Sequence, residues 1–167
     1  MYDRLTKGDI EKMQKEIDER KLVQRKQLIQ EVQEARAQGD LSENFEYYAA
    51  KRAKNQNESR IRYLERMIRT ARVIEEKESA SDEVAMNKMV EVYFPEDDET
   101  EMYRIVTTIR GNTLKGLISI DSPLGKALLH HRVGETVHVK VGEGGYDVVI
   151  KSISEALDEA GDAIRNF

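Results

Sequence analysis

The sequence predicts an α+β protein in which an N-terminal antiparallel coiled-coil helical hairpin precedes a small C-terminal domain with an antiparallel sheet. Residues 7–76 contain no proline, only two glycines and mostly good helix formers, and their apolar residues recur at helical spacing. Beyond residue 88, apolar residues instead alternate along short segments rich in β-branched and aromatic side chains. We therefore predict a hairpin over 1–76, a polar linker over 77–87, a globular domain over 88–153 and a C-terminal tail over 154–167.

The two predicted helices are separated by Gly39. Thr6 or Asp9 is placed to cap the first helix, and a second helix is expected to begin close to Phe45. About 32 residues per arm would reach ~48 Å, so the hairpin must project from a small globule. The apolar stripe of the first helix is thin between Arg20 and Gln27. The stripes consist of Ile10, Met13, Ile17, Leu28, Val32 and Ala35, and of Ala50, Ala53, Ile61, Leu64, Ile68 and Ala71 with a polar interruption at Asn57.

The second half reads as a small antiparallel sheet with one short helix. Ser122 and Pro123 supply an N-cap and an N1 proline for that helix, which runs to about Leu129. The tail 156–167 fits either a short helix or a frayed end. Strands are predicted over 89–94, 102–109, 117–120, 135–141 and 146–153.

Charge and composition exclude several classes of protein. The net charge of −5 argues against a general nucleic-acid binder, but residues 1–76 carry 17 Lys/Arg and 15 Asp/Glu, whereas the remainder carries 10 and 17. This asymmetry suggests that the halves face different partners. No cysteine is present, so disulfides and thiolate metal sites are excluded. No segment has the roughly 20 apolar residues of a membrane span, and the N-terminus lacks a signal core, so we expect a cytoplasmic protein.

Two carboxylates lie at the predicted tip of the hairpin. Asp40 and Glu43 are three residues apart, a spacing that can place both on one side of the turn. Carboxylates are hard oxygen ligands suited to Mg²⁺, but two of them form only part of a metal site. Ordinary capping chemistry explains the same residues, because acidic side chains are common at helix starts. Spacing alone favours capping.

The segment GDLSENFEYYAAK (39–51) closely resembles the tip motif of the GreA/GreB transcript-cleavage factors. Gly39 to Asn44 match the pattern G-D-L-S-E-N without a gap. Similarity continues in SRIRYLERMI (59–68), ISIDSPLGKALL (118–129) and VGETVHV (133–139), so it covers roughly residues 5–153. Phe45 and Tyr48 depart from the family pattern, and the tail extends beyond its usual end.

The resemblance implies a coiled-coil hairpin joined to an FKBP-like domain that docks at the rim of the secondary channel of RNA polymerase. The tip acids Asp40 and Glu43 would then help to hold a catalytic Mg²⁺ in the polymerase active site, where backtracked RNA is cut near its 3′ end. The polymerase holds this ion mainly by itself, so we expect no Mg²⁺ on the free protein, which we expect to be monomeric. The element opened by Ser122, Pro123 and Leu124 would belong to the docking surface.

Other residues suggest weaker hypotheses. Lys51, Arg52, Lys54 and Arg60 form either a basic track for RNA phosphates or an ordinary solvated face. Tyr47 and Tyr48 either stack on an RNA base or brace the turn.

Three alternative functions remain for the whole chain. A related regulator could occupy the channel without promoting cleavage, although the intact acid pair favours cleavage. A prolyl isomerase is disfavoured, because residues 88–153 offer few aromatic residues for a pocket. A coiled-coil scaffold without chemistry would dimerise through its stripe. In the leading interpretation the protein stimulates the polymerase and is not itself an enzyme.

Overall fold

The computed structural model describes residues 3–39 and 44–165. It confirms the predicted α+β class, with an N-terminal helical hairpin and a C-terminal sheet. The chain divides into two compact units, one formed by residues 9–71 and the other by residues 4–8 and 72–165. Within the described ranges, no helix combines the length and apolar character that crossing a bilayer requires.

The hairpin pairs an interrupted helix with a continuous one. Helix α1 (Lys7–Glu19) passes through a single π-helical segment (Arg20–Gln24) into α2 (Arg25–Ala37), and α3 (Phe45–Thr70) runs back alongside them. Of the predicted stripes, Met13, Ile17, Ala35, Ile61 and Leu64 are buried, and the other apolar members are half-buried. Met67, which the prediction did not include, is buried next to the predicted Ile68.

A layer of polar side chains crosses the hairpin where the apolar stripe is thin. Arg20 Nη1 donates to Asn57 Oδ1 at 2.9 Å, and Asn57 Nδ2 donates back to the Arg20 carbonyl at 3.3 Å. That carbonyl also accepts the i+5 bond of the π-helical segment from the Arg25 N–H. Arg60 Nε donates to Glu16 Oε2 at 2.8 Å, and Arg20 Nε donates to the same oxygen at 2.9 Å. Buried Asn57 and Arg60 are therefore satisfied across the two arms.

The second unit is built on a five-stranded sheet. Its strands are β3 (Lys88–Phe94), β4 (Glu99–Val106), β5 (Leu117–Ser119), β6 (Thr136–Val141) and β7 (Gly144–Ala156). Their order is β5-β4-β3-β7-β6, and every neighbouring pair is antiparallel except β4 and β5, which are parallel. The antiparallel prediction thus holds for four strands, while the short edge strand joins in the opposite sense. Two further strands, β1 (Arg4–Leu5) and β2 (Arg72–Val73), form a separate pair.

One face of this sheet is covered by helix α4 (Pro123–Leu128), which packs mainly on β6. Ser122 caps the helix, because its Oγ accepts from the Gly125 N–H at 3.0 Å, and Pro123 occupies the first turn as predicted. Leu128 is fully buried in the core. The core beneath α4 also contains Val90, Val92, Ile105, Val139, Val148 and Ile150.

The two segments that flank the hairpin in sequence belong to the second unit. Strand β1 pairs in parallel with β2, and Leu5 is fully buried. Ile74 N–H donates to the Leu5 carbonyl at 2.8 Å. Residues 4–8 and 72–76, which the sequence assigned to the hairpin, therefore help to form the second unit.

Part of the predicted linker over 77–87 is not a linker. Val84 is completely buried, its N–H donates to the His131 carbonyl at 2.8 Å, and its carbonyl accepts from the His130 N–H at 3.0 Å. Lys88 Nζ, just beyond, donates to the Ala80 carbonyl at 2.8 Å. The polar composition of the segment did not predict this packing, because Val84 is a single buried apolar residue in a mostly polar segment.

The chain beyond residue 153 is ordered against the second unit as far as residue 165. Strand β7 continues to Ala156, and a 3₁₀ turn follows at Glu159–Gly161. Backbone bonds join Leu157 N–H to the Asn87 carbonyl at 2.8 Å and Arg165 N–H to the Ile109 carbonyl at 2.7 Å. Of the two alternatives for the tail, the short helix is present only as this 3₁₀ segment, and the residues on either side of it are held by the backbone bonds of Leu157 and Arg165.

Candidate functional site

The residues that flank the hairpin tip form the end of α2 and the start of α3. Helix α2 ends at Ala37, and Gly39 adopts a φ of +124°, which is accessible to glycine but strained for other residues. Asn44 then caps α3, since its Oδ1 accepts from the Tyr47 N–H at 3.0 Å. Asn44 Nδ2 also donates to the Ala35 carbonyl at 2.6 Å, which links the start of α3 to the last turn of α2.

The predicted catalytic and metal-binding residues Asp40 and Glu43 lie in 40–43, outside the described residues. Their assignment therefore stays a prediction. Among residues 3–39 and 44–165, no cluster of three or more His, Asp or Glu side chains is arranged to hold a metal ion.

The aromatic residues beside the tip divide into two environments. Tyr47 is buried, with the Arg36 guanidinium 5.8 Å and the Lys51 ammonium 5.9 Å from its ring centroid. A hydrogen bond from Arg36 lowers the pKa of the Tyr47 hydroxyl. Tyr48 packs edge-on against Tyr47 but is half exposed, and Phe45 is 85% exposed. Tyr47 thus braces the turn, while Phe45 and Tyr48 keep faces open to solvent.

The predicted basic track separates into exposed and buried members. Lys51 and Arg52 are exposed and Lys54 is half-buried on α3. Arg60 requires a correction. It is only 7% exposed, and its guanidinium donates to both carboxylate oxygens of Glu16, at 2.8 and 3.3 Å. Such a side chain stabilises the helix–helix interface and is not presented to RNA.

The sequence contained a signal for this assignment. Position 60 lies three residues after Asn57 and one before Ile61, both of which are buried on the inward side of α3. A charged residue on that side needs a partner from the facing helix. Glu16, on the facing arm, is the partner that sequence reasoning missed.

The predicted docking residues lie at the start of α4. The Ser122 Oγ makes two hydrogen bonds: it accepts the capping bond from the Gly125 N–H, and it donates to the Ser119 carbonyl at 2.7 Å. Pro123 is exposed, and Leu124 is half-buried against the core. Of the three, only Pro123 is therefore exposed.

Charged groups surround Pro123. A shallow depression beside it is lined by Asp121, Lys126, His138 and Lys140. Burial raises the pKa of Asp121, but hydrogen bonds from Arg4 and Thr108 outweigh this and hold it below its usual value. This surface therefore carries an ionised carboxylate beside two ammonium groups.

Comparison with known proteins connects both halves of the chain to one family. The family described as "Transcription elongation factor, N-terminal" matches residues 4–73, and "Transcription elongation factor, GreA/GreB, C-term" matches residues 78–155. Residues 156–167 lie beyond both matches.

Relatives match over most of their length. Transcription elongation factor GreA of Chloroherpeton thalassium is 41% identical over 140 residues, which cover 84% of this chain and 89% of that protein. Transcription elongation factor GreA of Streptococcus pneumoniae is 38% identical over 151 residues, or 90% and 94% of the two chains.

Solved structures are also similar to the chain. GreA factor homolog 1 (Gfh1) of Thermus thermophilus is 26% identical with a TM-score of 0.42, covering 93% of this chain and 100% of that one. The elongation factor GreA/GreB from Nitrosomonas europaea is 27% identical with a TM-score of 0.40, covering 57% and 79%.

Proposed function

The chain belongs to the GreA/GreB family and is a transcription elongation factor, and we propose that it acts by stimulating RNA polymerase to cleave backtracked RNA. One observation carries this proposal. The unbroken motif Gly39–Asn44 puts two acids in the stretch of sequence between the end of α2 and the start of α3. The same acid pair favours a cleaving factor over a regulator that occupies the polymerase without cleavage.

The donor chemistry of the tip suits a shared magnesium ion. Asp40 and Glu43 supply two carboxylates, which are hard oxygen ligands that Mg²⁺ prefers, and the remaining ligands would come from the polymerase. When bound, Mg²⁺ would stabilise charge on the oxygens that attack and leave in phosphoryl transfer. The acids of this chain would complete and orient that site. The chain itself supplies no nucleophile in this proposal, so it is a stimulatory factor and not an autonomous enzyme.

The rest of the chain is proposed to bring the acids to their place. The surface around Pro123 would dock at the rim of the secondary channel, and the hairpin would enter the channel toward the RNA 3′ end. Exposed Lys51 and Arg52, with Lys54, would hold displaced RNA through its phosphates. We propose that the protein is cytoplasmic, because its polymerase partner works in the cytoplasm, and that it is monomeric when free.

A cleavage assay tests the role of the acids. The full-length protein and its Asp40→Asn and Glu43→Gln variants are added to a stalled, backtracked elongation complex, and shortened RNA is measured over a range of Mg²⁺ concentrations. Each variant keeps its size but loses the charge that attracts the ion. We expect each to lose most cleavage, to bind polymerase normally and to recover partly at high Mg²⁺ by mass action.

Thermal melting provides the control. Asn44 already caps α3. If the acids act only as favourable charges near the start of that helix, each variant should lose about 0.3–1 kcal/mol of stability. Added Mg²⁺ should then restore nothing. Normal cleavage by the double variant, on a complex that requires the wild-type protein, would disprove the proposed function.

A further inference from the structure

We propose that the outer face of α3, where Phe45 and Tyr48 lie beside Arg52, is a stacking site for the bases of unpaired RNA. All three residues belong to α3 itself. The inference rests on the proposed function, because displaced RNA must reach the hairpin. It adds recognition of bases to the phosphate contacts already proposed for the basic residues of this helix.

The three side chains share one side of the helix. Positions 45, 48 and 52 are three and four residues apart, a spacing that brings side chains onto one helical face. At 1.5 Å per residue, Tyr48 lies about 4.5 Å and Arg52 about 10.5 Å along the axis from Phe45. Two rings and a guanidinium therefore follow one another along the surface of α3, beginning at its first residue.

Both rings are open to solvent. Phe45 is 85% exposed, and Tyr48 is 49% exposed. An edge-to-face contact, with 5.5 Å between ring centroids, supports Tyr48 against buried Tyr47. Tyr47 is in turn held between α2 and α3, with the Arg36 and Lys51 cations near its ring. Tyr48 is thus a supported ring with an open surface, next to an almost uncovered Phe45.

The charge of this face suits an anionic partner. The acidic residues of α3 nearest to it lie elsewhere. Glu46 follows Phe45 directly and so lies about 100° around the helix, and Glu58 is paired with Arg25 at 2.7 and 2.9 Å. Beyond the rings, the face continues with exposed cationic and amide side chains, which are Arg52, Asn55 and Gln56.

Single-stranded nucleic acid is the partner that this combination of side chains fits. Proteins that bind single strands stack successive bases on aromatic side chains and place cations beside the phosphates. Exposed Phe45 and Tyr48 supply the rings, and Arg52 supplies the cation. Stacking tolerates any sequence because every base has a π-face, which suits a factor that meets different RNA in each stalled complex.

The test uses the full-length protein and a backtracked elongation complex whose displaced RNA carries a fluorescent purine analogue. Stacking on an aromatic ring quenches the emission of such a probe, and Mg²⁺ is omitted so that the RNA is not cut. The half-saturating concentration of the factor is measured in the same titration. A complex that is not backtracked, and so has no displaced RNA, is titrated in parallel.

Wild-type protein should quench the probe and bind the backtracked complex more tightly than the other complex. Phe45→Leu keeps an apolar side chain but removes a ring that is 85% exposed, so the fold should not change. We expect it to reduce quenching and to raise the half-saturating concentration about 5- to 100-fold on the backtracked complex alone. Phe45→Leu/Tyr48→Leu should abolish quenching.

Two control variants separate stacking from other roles. Phe45→Tyr/Tyr48→Phe keeps both rings and should behave like the wild type. Leu22→Ala/Val23→Ala removes exposed apolar side chains from the other arm and should leave the difference in affinity between the two complexes unchanged.

Wild-type quenching by Phe45→Leu/Tyr48→Leu would overturn the proposal. An equal loss of affinity for both complexes would also overturn it, since the rings would then contact the polymerase. Because no RNA is cut in this assay, these outcomes are distinct from failure of the proposed function, in which the Asp40→Asn/Glu43→Gln protein would cleave normally.

Discussion

At the scale of single residues, one carboxylate in the hairpin accepts hydrogen bonds from two arginines. Glu16 accepts from Arg20 on its own helix and from Arg60 on α3. Burial raises the pKa of Glu16, but the hydrogen bonds from Arg60 and Arg20 outweigh this effect and hold the pKa below its ordinary value of 4.5. Ionised Glu16 therefore stabilises the folded hairpin.

We predict that Glu16→Gln destabilises the protein by about 1–3 kcal/mol at pH 7, where the carboxylate is charged in both folded and unfolded states. Since the folded pKa is lowered, the stabilisation is present above the unfolded pKa and is lost as the pH falls through the folded value. Melting curves at several pH values should show the two proteins converging in acid. The exposed Glu19→Gln is the matched control, and a difference independent of pH would contradict the prediction.

At the scale of elements, the two sides of α3 place its polar and basic residues in different environments. Its inward side bears Asn57, Arg60 and the apolar residues of the interface, whereas Lys51 and Arg52 point to solvent. Arg25 pairs with Glu58 on its flank, with N–O distances of 2.7 and 2.9 Å. Basic residues of α3 thus differ in environment according to side, and Arg60 is excluded from the proposed track, whereas Lys51, Arg52 and half-buried Lys54 remain in it.

The combined substitution Lys51→Ala/Arg52→Ala/Lys54→Ala is expected to weaken cleavage in long-backtracked complexes and to reduce its salt dependence. Each lost phosphate contact lowers the slope of log affinity against log salt by about 0.7 for a single strand. Cleavage titrations between low and high salt measure this slope. Lys15→Ala/Lys26→Ala removes exposed charges from the other arm and should leave the slope unchanged; equal effects of both sets would mean that the track is only a solvated surface.

The periodicity of apolar residues predicted some elements of the fold and not others. The stripe containing Met13, Ile17, Ile61 and Leu64 predicted the hairpin because helix packing repeats locally in sequence. The parallel pairing of β5 with β4 was not predictable, since a three-residue strand has the same pattern in either direction and its partner is set by the crossover. The π-helical segment was visible only as a gap in the stripe. At the candidate site, the motif identified Asp40 and Glu43, but the Asn44–Ala35 bond required coordinates.

At the scale of the whole molecule, the tail completes a buried charge network in the second unit. Glu159 accepts from Thr6 Oγ1 at 2.8 Å and pairs with Arg110 Nη2 at 2.8 Å. Asp162 pairs with Arg110 Nη1 at 2.8 Å and also with Arg104. Arg110 is fully buried, so it requires these carboxylates. Contacts between residues 49 or more apart in sequence produce no periodic pattern, which explains why the sequence left two alternatives for the tail.

Removal of residues 157–167 is therefore expected to destabilise the second unit by about 3–5 kcal/mol, because Arg110 and Arg104 would remain buried without their carboxylates. Glu159→Gln/Asp162→Asn should reproduce most of the loss, whereas exposed Glu155→Gln should not. Denaturant unfolding followed through the sheet signal in circular dichroism measures these effects.

The truncated protein also allows a rescue. Replacing a buried charge by an apolar side chain of similar size removes the desolvation cost, so Arg110→Met should recover part of the stability of the truncated chain while destabilising the intact one. Burial raises the pKa of Asp162, but Arg104 and Arg110 outweigh it and lower the pKa, so the tail's contribution is present above the unfolded pKa and is lost in acid. If truncation left the unfolding midpoint unchanged at pH 7, or if Arg110→Met harmed both backgrounds equally, the tail would be a passive extension and the arginines would be stabilised by other groups.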